Sequence, residues 1–144
     1  MSLVCPILEY GAVCWDPYRE RQISVLDRVQ KKAAKFAQHV NSLNWETLAL
    51  RRKLSCICAL FKVYSGECAW KPIGVRLQRP HYLSRVDHER KIRSRRQRTD
   101  TGKYSFVNRT IQHWNQLPAE VLGILPCKTI TFKKRAWKVI IELN

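Results

Sequence analysis

The sequence is poor in acidic residues and in glycine. Its 144 residues include 11 Asp and Glu against 27 Lys and Arg, giving a formal net charge of +16. The five glycines stand apart, so no glycine-rich phosphate loop is present. No apolar run reaches the roughly 20 residues that a membrane-spanning helix needs. The apolar start contains Glu9 and lacks a basic region, which argues against a secretory leader and favours an intracellular location, nuclear or cytoplasmic.

Clustered catalytic carboxylates are missing as well. The four aspartates are scattered and include no adjacent pair: Asp16, Asp27, Asp87 and Asp100. Polymerase chemistry with two metal ions needs carboxylates that lie together and hold Mg²⁺. We therefore expect that the chain is not an enzyme and requires no cofactor.

The six cysteines do not form a recognisable site. Without an oxidising compartment they are expected to remain free thiols. Cys56 and Cys58, with Cys68, His81 and His88, raise the alternative of a zinc site. On a helix, however, the first two point about 200° apart, and their spacing matches no zinc knuckle. A cysteine nucleophile would need a base and an orienting group, for which no signature is seen. We expect small core side chains and no metal.

What the sequence does contain is helical periodicity. Hydrophobic residues make up 45% of the chain, enough for a core, and strand signals are weak. We predict an all-α fold of about four to six helices, with a basic irregular segment between its N-terminal and C-terminal helical parts. The predicted helices cover residues 3–15, 19–40, 45–66 and 106–116, followed by a turn from Pro118 and a last helix from Thr129. Asn44 and Thr129 are the expected N-caps, and Gly66 ends the third helix.

The helix predicted over residues 19–40 has the clearest amphipathic pattern. Its apolar stripe comprises Ile23, Leu26, Val29, Ala33, Phe36, Ala37 and Val40. Its opposite face is cationic, and we predict that it contacts phosphates through Arg21, Arg28, Lys31, Lys32 and Lys35. The alternative is a solvated helix exterior with no ligand.

The helix predicted over residues 45–66 has a much wider apolar arc. Only a narrow polar strip remains, formed by Arg51, Arg52, Ser55 and Lys62. Such a helix is expected to be central and buried on most sides. Most of the five tryptophans are expected to anchor the core, whereas Tyr104 and Phe106, beside Lys103, are better placed to stack on bases.

Residues 76–103 are interpreted as a basic linker or loop. They connect a helical part, residues 1–75, to a C-terminal helical part, residues 104–144, and the three parts together make one domain. Arginine suits bidentate phosphate binding. The predicted nucleic-acid contacts in this segment are Lys91, Arg93, Arg95, Arg96, Arg98 and Lys103. The alternatives are a nuclear-localisation-like patch or a disordered linker.

Six segments stand in an order and spacing that resemble one known family. They are Pro6–Tyr10, Trp15–Pro17, Leu26–Phe36, Trp45–Leu48, Arg51–Lys53 and Tyr104–Val121. In this arrangement the sequence resembles the C-terminal, post-palm region of the reverse transcriptases of non-LTR (LINE-type) retrotransposons, of the jockey and CR1 kind. The resemblance spans nearly the whole chain.

The resemblance implies a helical, thumb-like region that helps to hold a template–primer duplex. The family's catalytic Asp-Asp motif belongs upstream and is absent, Cys5 stands where Arg is common, and Met1 falls where the family's chain would be mid-protein. We expect a truncated fragment, inactive alone as an RNA-directed DNA polymerase, that binds RNA or an RNA/DNA duplex without sequence preference. Residues 3–15 could expose apolar surface for a palm domain or for self-association. A helical protein–protein module and a non-functional mobile-element relic remain the alternatives.

Overall fold

The computed structural model describes residues 11–15, 17–38, 47–68, 71–85, 87–123 and 127–142. All regular structure in these ranges is helical, which confirms the all-α prediction. The helices are α1 (Ala12–Trp15), α2 (Glu20–Gln38), α3 (Leu48–Tyr64), α4 (Lys71–Gly74), α5 (Asp100–Lys103), α6 (Phe106–Asn115), α7 (Ala119–Gly123) and α8 (Thr129–Glu142). The four longest correspond to predicted helices, whereas the single turns α4 and α5 were not predicted from the sequence. None of the described helices is long and apolar enough to span a bilayer.

Helix α3 lies at the centre of the packing, as its wide apolar arc predicts. It contacts α1, α6 and α8, and the ring of Phe61 stacks on that of Phe132 in α8 with centroids 4.2 Å apart. The N-cap is Thr47, whose hydroxyl accepts a hydrogen bond from Leu50 N at 3.4 Å, while the predicted cap Asn44 lies outside the described residues. The helix ends before Gly66, whose φ of 78° favours glycine, as predicted.

One apolar cluster unites the helices on both sides of the basic segment. Helix α6 contributes Trp114, which is fully buried, and α8 contributes Phe132 and Ile140. The basic segment itself contributes Ile92, which is 2% exposed. Burying a side chain of this size stabilises the fold by about 1.5–3 kcal/mol. The N-terminal helices, the basic segment and the C-terminal helices therefore share a single core.

Helix α2 is packed less tightly than its pattern predicts. Val29, on the predicted apolar stripe, is 42% exposed, and Ile23, Leu26 and Ala33 are only half-buried. The remaining stripe residues, from Phe36 onwards, lie outside the described side chains. The predicted apolar stripe is therefore only partly covered by the rest of the protein, and Val29 is exposed.

A polar contact joins α2 to α3 instead. Gln30 is the one buried side chain among those described on α2, at 7% exposure. Its Oε1 accepts a hydrogen bond from Leu48 N at 2.8 Å, so it satisfies a backbone donor in the first turn of α3. This side chain ties the two helices together where apolar contacts are few.

Three local expectations need correction. Arg52, assigned to the polar strip of α3, is 5% exposed, because this side of α3 faces α2 and α6. Thr129 is the first residue of α8 rather than its cap, and its hydroxyl donates to Glu67 Oε2 at 2.6 Å. Ala12, within the stretch expected to expose apolar surface, is buried, and its carbonyl accepts from Cys56 Sγ at 3.6 Å. Residues 3–10 lie outside the described ranges.

Candidate nucleic-acid interface

The cationic face of α2 lies open to solvent, as predicted. It comprises Arg21, Arg28, Lys31, Lys32 and Lys35, and all five side chains are exposed. At 3.6 residues per turn these positions fall within an arc of about 100°. In the part of the chain that the structure describes, none of the five is engaged in an ion pair. The face therefore presents several uncompensated positive charges on one side of a rigid helix.

Apart from the single turn α5 at its end, the described part of the basic segment, residues 76–103, is irregular as predicted, but it is not a free linker. Asn115 at the end of α6 holds both backbone groups of Ile92: its Oδ1 accepts from Ile92 N at 2.9 Å, and its Nδ2 donates to Ile92 O at 2.8 Å. Trp114 Nε1 donates to the carbonyl of Arg90 at 3.0 Å. These side chains supply the partners that a neighbouring strand would give, so the segment is held on the core without regular structure.

Lys91 is engaged within the protein and not free for a ligand. Its Nζ donates to Asp87 Oδ1, while Asp87 Oδ2 accepts from Ser84 N at 3.0 Å. The bond from Lys91, followed by that from the Ser84 backbone, lowers the pKa of the Asp87 carboxyl. The side chain of Lys91, predicted to contact nucleic acid, instead closes a local turn through Asp87.

A concave basic site forms where two stretches of the basic segment meet. Arg93 N donates to Gln78 O at 2.8 Å, which brings residues 76–78 beside residues 93–95. Next to this contact lies a cavity of about 480 Å³, lined by Arg76, Arg93 and Arg95 and by no Asp or Glu. We call it the arginine cleft. Arg93 and Arg95 were predicted contacts, whereas Arg76 was missed because it is distant in sequence.

The other wall of the arginine cleft is fixed by internal hydrogen bonds. The carbonyl of Gly102 accepts from Ser105 Oγ at 2.8 Å and from Asn108 Nδ2 at 2.5 Å. Gly102 N donates to Thr99 Oγ1 at 3.2 Å, which caps α5. These bonds lock the turn between α5 and α6. On the arginine side, Arg93 Nη1 lies 3.1 Å from His81 Nε2.

The remaining predicted contacts lie outside the arginine cleft. Arg96 and Arg98 are exposed and do not line it. Lys103 Nζ lies 5.2 Å from the ring centroid of Tyr104, and that ring stacks on Tyr18 with centroids 4.2 Å apart. One face of Tyr104 is therefore covered by Tyr18, which leaves at most the other face for stacking on a base. Phe106, the other stacking candidate, is half-buried against the core.

The arginine cleft and the α2 side of the molecule lie on opposite flanks of α6. The α6 residues that line the cleft are Val107, Asn108 and Ile111. Those lining a second cavity, of about 250 Å³ between α2 and α3, are Arg109, Thr110 and His113. At about 100° per residue the two sets project roughly 200° apart. A ligand bound in the cleft therefore does not occupy the same surface as a ligand bound against α2.

The cysteines show no sign of a reactive or metal-binding site in the described ranges. Burial raises the pKa of the Cys58 thiol to about 11, although Lys133 and Lys62 lower it in part. Such a thiol is protonated and poorly nucleophilic at neutral pH. Among the described residues, no group of three or more His, Cys, Asp or Glu is placed to hold a metal ion.

Comparisons with protein-family models, with curated proteins and with solved structures find no match for the chain. Function must therefore be inferred from the surfaces described above. These are the exposed cationic face of α2 and the arginine cleft on the other flank of α6.

Proposed function

We propose that this chain binds RNA or an RNA/DNA duplex without sequence preference, as the C-terminal, post-palm region of a LINE-type reverse transcriptase would. The observation that carries the proposal is the exposed cationic face of α2. Five like charges on one helix side, with no acidic partner in the described structure, match a polyanion. The order of segments in the sequence is what supports the retrotransposon origin.

The geometry of α2 suits contact with a nucleic-acid backbone. Its 19 residues span about 28 Å at 1.5 Å per residue, a length that covers several consecutive phosphates. Lysine and arginine contacts to phosphates release condensed counterions and provide affinity. They carry no sequence information, so the expected binding is uniform across sequences.

A binding role fits the chain better than a catalytic one. Its aspartates are scattered in sequence, and a two-metal mechanism needs carboxylates within reach of the same ions. We accordingly propose that any contribution to polymerisation consists of holding the template–primer, with the chemistry performed elsewhere.

A protein–protein module is the second candidate, and one observation favours it. Val25 and Val29 on α2 are 54% and 42% exposed, so this helix presents apolar as well as cationic surface. Such a module, or a palm domain packed on α2, would bind through these valines and be insensitive to the charge of the cationic face. Charge reversal on α2 should therefore weaken binding if the ligand is a nucleic acid and leave binding unchanged if the ligand is a protein.

The test is fluorescence anisotropy with a labelled RNA/DNA hybrid across a salt series. The wild-type chain should bind saturably, with log K falling linearly against log salt at a slope of about −0.9 for each phosphate contact on a B-form duplex and somewhat less on other nucleic acids. The variant Lys31→Glu/Lys32→Glu/Lys35→Glu should bind at least about tenfold more weakly and show a shallower slope.

A matched control separates the α2 face from general charge. Lys133, Lys134 and Lys138 are exposed on α8, so Lys133→Glu/Lys134→Glu/Lys138→Glu makes the same change in net charge elsewhere. Circular dichroism and a cooperative melt must show that both variants are folded. Equal loss in the two variants would eliminate the α2 face as the contact surface. A wild-type chain that is folded and does not bind at low salt would eliminate the function, and one that shows no cooperative melt would favour the relic alternative.

A further inference from the structure

The arginine cleft is not explained by a nucleic acid lying along α2. It opens on the opposite flank of α6, and its three arginines come from stretches 15 or more residues apart in sequence. The bond from Arg93 N to Gln78 O holds the stretch that carries Arg76 beside Arg93. An extended duplex needs no such concave cluster, since phosphate tracking works on flat or convex surfaces.

We propose that the arginine cleft is a discrete binding site for a phosphate group carried by a nucleotide. This inference deepens the proposed function and rests on it, because the same nucleic acid would supply the phosphate. In either of two forms the ligand is a phosphate group whose oxygens accept hydrogen bonds from guanidinium groups. Its source is an internal phosphodiester of a strand or the phosphomonoester at a strand end.

Charge and donor geometry define the class of ligand. Three arginines line one concavity that has no Asp or Glu in its lining, so an anion is the matching occupant. Guanidinium forks donate two parallel hydrogen bonds to phosphate, which lysine cannot do. In the described structure neither Arg76 nor Arg95 is engaged by another side chain, so both remain available to a ligand.

Hydrogen bonds hold the backbone on both sides of the cleft. Gly102 fixes one wall through its bonds to Thr99, Ser105 and Asn108. On the arginine side, Arg93 N donates to Gln78 O at 2.8 Å, while Arg93 Nη1 lies 3.1 Å from Nε2 of His81, a residue that does not line the cleft. Walls held in this way reduce the ordering cost of binding.

The size of the cleft indicates more than a bare ion. Its volume of about 480 Å³ falls within the roughly 300–1,000 Å³ of small-molecule sites. The volume is large enough for a nucleotide with its phosphate on the arginines and its sugar or base in the remaining space. Polar groups of Gln97 and Thr101 line that space and no large aromatic does, which predicts little preference among bases.

Two matched pairs of variants test the site in the full-length chain. Arg95→Gln removes a lining side chain, whereas Arg85→Gln makes the same charge change at an exposed arginine of the basic segment that neither lines the cleft nor is a predicted contact. Arg76→Gln is paired with Arg79→Gln in the same way. All four arginines are exposed, so the substitutions should leave the fold intact. Arg76 and Arg95 are the two cleft residues chosen for substitution because only the folded chain brings them together.

The readout is binding of four probes: an RNA/DNA hybrid, a short single strand with a 5′-phosphate, the same strand with a 5′-hydroxyl, and adenosine monophosphate. We expect Arg76→Gln and Arg95→Gln to weaken single-strand binding about tenfold, and the two controls about twofold. A loss confined to the 5′-phosphorylated strand assigns the terminal phosphomonoester, and an equal loss with both strands assigns an internal phosphodiester.

Failure of the cleft and failure of the proposed function give different results. If the wild-type chain binds the hybrid but each cleft variant behaves like its control, the cleft inference is overturned and the function stands. If the chain binds adenosine monophosphate through Arg76 and Arg95 but not the hybrid, the site stands and the duplex-binding role falls. If no probe binds, both are wrong.

Discussion

Helix α2 and the basic segment reverse what their sequences suggest. Helix α2 has the most regular pattern in the chain, yet Gln30 is the one buried side chain among those described on it. The basic segment has no periodicity, yet Ile92 is buried and both its backbone groups are bonded. Periodicity therefore predicts that a helix forms, whereas depth of packing depends on tertiary contacts that the pattern does not contain.

The physical difference lies in how backbone groups are satisfied. A helix bonds its own backbone, so α2 is formed even where it contacts little else. The basic segment has no such internal ladder and depends on Asn115 and Trp114 for its partners. Substitutions on α6 should therefore affect the basic segment more than equivalent changes on α2 affect the fold.

The largest effect is expected for Trp114. The variant Trp114→Ala removes a fully buried side chain and the bond to Arg90 O, and it should lower the free energy of unfolding by about 3–5 kcal/mol. Val29→Ala on α2 should cost less than about 0.5 kcal/mol, because that side chain is half in solvent. Urea unfolding followed by circular dichroism measures both. Similar costs for the two would show that α2 is packed as deeply as α6.

An intermediate effect is expected for Asn115. Asn115→Ala leaves the N–H and carbonyl of buried Ile92 without partners, which should destabilise the fold by about 1–3 kcal/mol. Gln112→Ala, an exposed change on the same helix, is the control and should stay within about 0.5 kcal/mol. Equal values in chemical denaturation would mean that the basic segment is not held by Asn115.

The smallest effect is a pH dependence from His88. This side chain is 8% exposed, and neither ring nitrogen has a hydrogen-bond partner among the described residues. Burial lowers its pKa from 6.5. The Trp114 backbone, near but outside hydrogen-bond geometry, and Asp87 offset part of this shift, and Lys91 adds to it.

The sign follows from proton uptake. Below pH 6.5 the unfolded chain protonates His88 more readily than the folded chain does. The free energy of unfolding should therefore decrease as the pH is lowered from 6.5, and the decrease should end once the pH is below the lowered pKa of the folded state. His88→Leu should remove this part of the dependence. Denaturant midpoints at pH 7.5 and 5.5 provide the measurement, and an unchanged pH dependence in the variant would remove His88 as its cause.

Much of the fold could be predicted from the sequence, because helices obey local rules. The spacing of Leu54, Ile57 and Phe61 predicts the central helix, and Gly66 predicts its end. The burial of Arg52 and the exposure of Val29 could not be predicted, because each depends on where α2 settles against α3. Short helices such as α5 carry too little periodicity to be recognised.

The candidate site divides in the same way. The cationic face of α2 follows from helical spacing alone and was predicted in full. The arginine cleft was predicted only in part, since the contact between Gln78 and Arg93 joins residues 15 apart and has no local signal. Lys91, a predicted contact, is paired with Asp87, four residues earlier, a spacing that the sequence already shows.

Native-state hydrogen exchange, resolved by residue, tests the contrast between the two regions most directly. The account predicts that the amides of Ile92 and Arg93 exchange only through openings nearly as costly as those of α3, because both donate hydrogen bonds beside a buried side chain. It predicts that the amides of α2 exchange through a more local opening with a lower free energy than that of α3. Rapid exchange at Ile92, with α2 protected as strongly as α3, would contradict it.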